Sequence, residues 1–63
     1  MKNRDRLVRI FMERDVSLDT IILLVNSMGS MSSIQKEERA LKLINIVEKS
    51  ESEEEMLEGA ASL

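Results

Sequence analysis

Eight serines, at positions 17, 27, 30, 32, 33, 50, 52 and 62, offer hydroxyls as nucleophiles, and the chain has no histidine to take a proton from any of them. A serine nucleophile needs an adjacent base. Lys36, Lys42 and Lys49, the conceivable lysine bases, fall on charged helix faces, where desolvation is weak. Cys, Tyr and Trp are absent as well, so the thiol nucleophile is missing. These absences argue against an enzyme. Glu51, Glu53, Glu54, Glu55 and Glu58 gather carboxylates of the kind that bind calcium or magnesium. Their spacing matches no calcium loop, and they read as a solvated acidic segment. Gly29 stands alone, so no glycine-rich phosphate cradle is formed. No metal, cofactor or small-molecule substrate is expected.

Nucleic-acid recognition is the second chemistry to weigh. Two helices joined by a short turn containing Gly29 have the outline of a helix-turn-helix. Ser33, Gln35, Lys36 and Arg39 would then stand near the start of the second helix of the pair, as residue types that contact bases and phosphates. Arg4, Arg6 and Arg9 would add positive charge. Glu37 and Glu38 in the same turn oppose this, as does a net charge of −3, since DNA-binding domains are clearly basic. A helix-turn-helix regulator is therefore the alternative reading.

The elements that must position any site follow from periodicity. Sixty-three residues make one domain, and a chain of that size buries only about 60% of its unfolded surface. Small domains gain stability from disulfides, metals or association. Without Cys or His, association remains. Ile21–Val25 is too short an apolar run to span a bilayer, which takes about 20 residues. The basic first helix reads as core-facing rather than membrane-bound. No leader segment is evident in the charged N-terminal residues, and a cytoplasmic protein is expected.

Helix 1 is predicted over Asn3–Arg14, capped by Asn3, with Asp5–Arg9 and Arg9–Glu13 as four-residue ion pairs. Ser17 caps helix 2, Leu18–Met28, and Val16 is placed to staple onto Ile21. Gly29 is the expected left-handed residue that ends it. Ser32 with Gln35 matches a capping box and opens helix 3, which runs to about Lys49 with Glu38–Lys42 on its surface. Residues 1–50 form the helical domain. Residues 51–63 are an acidic tail or a short helix, with Ser52 and Glu55 as another capping-box match.

The expected fold is all-α, a small three-helix bundle with a short fourth helix as one option, completed by dimerisation. Its core would gather Leu7, Ile10, Phe11, Leu18, Ile21, Val25, Leu41, Ile44 and Val47. At about 100° per residue, Leu23 falls opposite the main stripe of helix 2, between Asp19, Asn26, Thr20 and Ser27. Ile46 similarly lies off the stripe of helix 3. Leu23 and Ile46, with the adaptable methionines Met28, Met31 and Met56, are the candidate protein-binding residues. The expected function is a non-catalytic interaction module, a regulator, inhibitor or adaptor, that binds another protein or a second copy of itself.

Overall fold

A computed structural model describes residues 2–63. It contains four α-helices: α1 (Asn3–Glu13), α2 (Leu18–Val25), α3 (Ser33–Lys49) and α4 (Glu53–Ala61), with a 3-10 turn over Asn26–Ser30 between α2 and α3. No strand occurs among the described residues. α3 is the central element. α1 packs along it, α4 packs on both α3 and α2, and α1 and α2 share no extended seam with each other.

Each helix begins where a side chain satisfies its free N–H groups. Ser17 accepts from Thr20 N–H at the start of α2. Ser32 and Gln35 form the complete capping box of α3. At α4 the box is split: Ser52 Oγ accepts from Glu55 N–H, but the Glu55 carboxylate accepts from Glu51 N–H rather than from Ser52. α1 departs from expectation. Lys2 occupies the cap position, and the Glu37 carboxylate, reaching across from α3, accepts from Asn3 N–H at 2.7 Å. A glutamate on a neighbouring helix thus replaces the local asparagine cap.

The left-handed residue is also not where glycine predicted it. Asp15 has φ 53°, whereas neither glycine has a positive φ. Asp15 N–H bonds to Met12 C=O and Val16 N–H to Phe11 C=O, the double closure of a Schellman motif. Asp tolerates this conformation better than most residues because of its short polar side chain. Helix 2 instead tightens into the 3-10 turn, so Gly29 is not required to reverse the chain.

The core contains Leu7, Phe11, Val16, Leu24, Met28, Ala40, Leu43, Ile44, Val47 and Met56. Leu18 and Leu41, expected inside, are outside, and Ile10, Ile21 and Val25 are half-buried against the core. On α2 the buried line is Thr20 and Leu24, continued by Met28 in the 3-10 turn, displaced round the helix from the expected stripe. The cause is α4, which covers the Thr20 side and draws α2 toward itself. No buried side-chain nitrogen or oxygen among the described residues is left unpaired.

Candidate protein-binding groove

The displacement of α2 leaves a trough between α1 and α2. Its volume is about 400 Å³. Leu7, Val8, Phe11 and Met12 form the α1 wall, and Ile21, Val25 and Met28 form the opposite side. Arg4 and Lys36 are the only charged residues in the lining. Val8 is 55% and Met12 76% exposed. Ile22 and Leu18 follow Val25 and Ile21 round the α2 surface at helical spacing, and they are 51% and 70% exposed. The apolar area is therefore continuous from α1 to α2. Scattered exposed leucines are ordinary; here the exposed apolar side chains adjoin one another.

The Arg4 end of the trough is tied to α3. Arg4 Nε–H donates to Glu37 Oε2 at 2.7 Å, the one ion pair among the described residues. Asn3 Nδ2 donates to Glu37 C=O at 3.1 Å. The Glu37 carboxyl is held below its ordinary range, first by the Arg4 hydrogen bond. The ion pairs expected within single helices, Asp5–Arg9, Arg9–Glu13 and Glu38–Lys42, are not made. Their partners stay in water, where such pairs contribute little.

A second carboxylate secures the opposite flank of α2. Glu53, expected to be part of a solvated acidic segment, accepts from Ser17 Oγ–H at 2.6 Å, from Ser17 N–H at 3.2 Å and from the Thr20 hydroxyl. Its pKa is lowered, most strongly by the Ser17 hydroxyl. Anion placement at a helix N-terminus is also favoured by the helix dipole. Glu53 therefore joins α4 to the first turn of α2.

The structure places the predicted protein-binding residues in different environments. Leu23 is 63% exposed, on a face of α2 away from the trough. Met28 is buried and forms part of the trough floor. Met31 is half-buried against the core, and Met56 is buried in it. Ile46 lies under α4: a Cβ built on Gly59 would stand 2.8 Å from Ile46 Cγ2. The off-stripe isoleucine is occupied within the chain, because α3 has helices on two sides. Val8, Met12, Leu18 and Ile22 are the surface residues the sequence argument missed. Of the four only Leu18 is in the expected core, and only the relative placement of α1 and α2 leaves them outside together.

Of the residues proposed for nucleic-acid contact, Gln35 and Arg39 line one open depression on α3 with Glu38 and Lys42, while Ser33 and Lys36 lie outside it. Gln35 is engaged in the capping box, Lys36 lines the trough, and Arg39 is half-buried. Ser33 is exposed at the first position of α3. The link between α2 and α3 is a five-residue 3-10 turn followed by Met31 and Ser32, longer than the three or four residues of a helix-turn-helix. Among the described residues no cluster of three or more metal-ligating side chains occurs, and no helix is long and apolar enough to cross a membrane. No protein-family model, curated protein or solved structure matches the chain.

Proposed function

We propose that this chain is a small non-catalytic interaction module, a regulator, inhibitor or adaptor, that acts in the cytoplasm by stoichiometric binding through an apolar helical surface and works as a homodimer. The observation that carries this reading is the apolar trough between α1 and α2, with Val8 and Met12 of its wall and the neighbouring Ile22 more than half exposed. Covering such a surface is favourable by about 25 cal/mol per Å² of apolar area removed from water. A chain with this little interior gains proportionately more from it than a larger domain does. The sequence supports the same reading from another side, since it carries no histidine or cysteine for catalysis.

The test is a pair of single substitutions, Met12→Asp in the trough wall and Ile22→Asp on the adjoining surface of α2, in the full chain. Both positions are exposed, so helicity by circular dichroism should be retained. Self-association by light scattering, or capture of a protein partner that the wild type binds reproducibly, should be lost. If both variants associate and capture as the wild type does, the trough is not a binding surface and the proposal fails.

A further inference from the structure

We infer that the trough is a binding site for an unbranched acyl carboxylate of about ten carbons, its chain lying along α1 and its carboxylate at the Lys36 end. This goes beyond the interaction-module reading and stands or falls separately from it.

Dimensions select the occupant first. The trough follows α1 from Arg4 to Met12, a length of about 12 Å at the rise of a helix. Its volume of about 400 Å³ lies within the range of small-ligand pockets, about 300–1,000 Å³. Spread over that length, the volume is a channel of about 33 Å² in section, roughly 6 Å across. A helix is about 10–12 Å wide and would rest on the rim without entering. An extended hydrocarbon chain is slim enough to enter. With zigzag C–C bonds of about 1.5 Å, a chain of about ten carbons covers the length.

The lining then sets the chemistry of the two ends. Leu7, Phe11 and Met28, the buried floor, carry no strong hydrogen-bonding side chain. A ligand body with hydroxyls or amides would lose its hydrogen bonds to water there and regain none, so a plain hydrocarbon body fits. The hydrogen-bonding side chains in the lining are those of Arg4 and Lys36, and both donate without any capacity to accept. They share one end, because Arg4 Nε–H donates to Glu37, the neighbour of Lys36. Met12 and Ile21 stand at the other end, toward the connection between α1 and α2. A head that only accepts and is negatively charged answers the first end, and a methyl terminus answers the second.

Within the basic end Lys36 is the open partner. It is half-buried and makes no ion pair among the described residues. Arg4 gives its Nε–H to Glu37 and keeps its Nη groups as further donors. Glu37 does not line the trough, and its two carboxylate oxygens already accept from Asn3 N–H and from Arg4. A hydrogen bond between ionised partners is roughly twice as strong as a neutral one, and partial burial weakens its screening by water. Residue spacing alone anticipates no such ligand, because the trough exists only through the displacement of α2 toward α4.

Titration of the isotope-labelled full chain with decanoate and with decyltrimethylammonium, followed through its amide chemical shifts, tests this. Decanoate should bind the wild type saturably, with a dissociation constant on the order of 100 μM, and the shifts should centre on Leu7, Phe11, Val25 and Met28. Decyltrimethylammonium, a chain of the same length with the opposite charge, should bind at least about tenfold more weakly. Lys36→Glu should reverse that order. Lys36→Met should erase it, and this variant carries the test alone if the charge reversal unfolds the chain. Hexanoate, shorter by about four methylenes, should bind the wild type at least about tenfold more weakly than decanoate. No saturable shift with decanoate up to about 5 mM overturns the inference. So does equal binding of the two amphiphiles by the wild type, a preference for decanoate that survives the loss of the Lys36 charge, or shifts centred away from the trough. Association and partner capture by Met12→Asp and Ile22→Asp are read separately, so failure here leaves the interaction module standing, and its failure leaves this site standing.

Discussion

The two flanks of α2 have opposite characters. Toward α4 the seam is closed: Thr20 and Leu24 are buried, Met56 enters the core, and Glu53 caps the first turn of α2 through Ser17 and Thr20. Toward α1 the seam is open, with Ile21 and Val25 half-covered and Met12 in water across the trough. Both flanks are apolar. The difference is that α4 carries both an apolar anchor and a carboxylate matched to the end of α2, while α1 commits its polar contacts, through Asn3 and Arg4, to α3. Apolar surface alone does not close a seam between two short helices. A fixed polar latch decides which pair of helices meets.

The largest effect that separates the flanks is truncation. Leu43, 1% exposed at the centre of the core, should cost about 3–4 kcal/mol when changed to alanine. That is a large share of the stability of a domain this small. Met12→Ala, on the open side, should change the stability of the monomer by less than about 0.5 kcal/mol. Urea unfolding at low protein concentration measures both. A costly Met12→Ala there would mean the trough is closed within the monomer and the comparison is false. Gly59→Ala should fall between them, at about 1–2 kcal/mol destabilising. Its new Cβ meets Ile46 Cγ2, an overpacking cost only partly offset by alanine's better helix propensity.

Much of the closed side was legible in the sequence, and the open side was not. Ser17, Ser32 and Gln35 announce helix starts because capping is a local matter of three or four residues. The α3 stripe at Ala40, Ile44 and Val47 follows from period alone. Leu41 and Leu18 sit beside such stripes, and their exposure depends on where α1 and α2 lie relative to α3, which no local spacing encodes. Glu37 and Glu53 were read as surface charge. Their partners Asn3, Arg4, Ser17 and Thr20 are more than thirty residues away in sequence, so only the tertiary arrangement reveals them as latches. Ile46 looked surplus because the acidic end of the chain was not assigned the task of covering it.

The latches give the comparison a pH dependence. Glu53 has a folded-state pKa below its unfolded value, so the folded state releases its proton more readily. The stability it contributes is complete above the ordinary glutamate value of about 4.3 and is lost as pH falls through the lower folded value. Glu37 behaves in the same direction through Arg4. The melting temperature should therefore fall as pH is lowered from about 5 to 3, and Glu53→Gln should flatten part of that fall. Amide exchange read residue by residue refines the test. Protonation of Glu53 should loosen the start of α2, and Glu37→Gln should loosen the start of α1. An unchanged acid transition in both variants would show that neither carboxylate is a latch.

The smallest effects concern the backbone at the ends of α1 and α2. Asp15 holds φ 53°, a conformation that costs L-residues roughly 1–2 kcal/mol, less for Asp. Glycine removes that strain but loses more chain entropy on folding, so Asp15→Gly should stabilise by only about 0.5 kcal/mol. Gly29 presents the reverse case. Its φ is not positive, and a Cβ built there meets nothing within 4 Å. Gly29→Ala should stabilise by about 0.4–1 kcal/mol through the unfolded chain. In a domain of this size, that corresponds to a few degrees in melting temperature. If Gly29→Ala instead destabilises by more than the entropic gain, the 3-10 turn is wrong and a left-handed glycine closes helix 2 after all. That would rotate Met28 out of the trough floor and remove the α2 wall on which the binding surface depends.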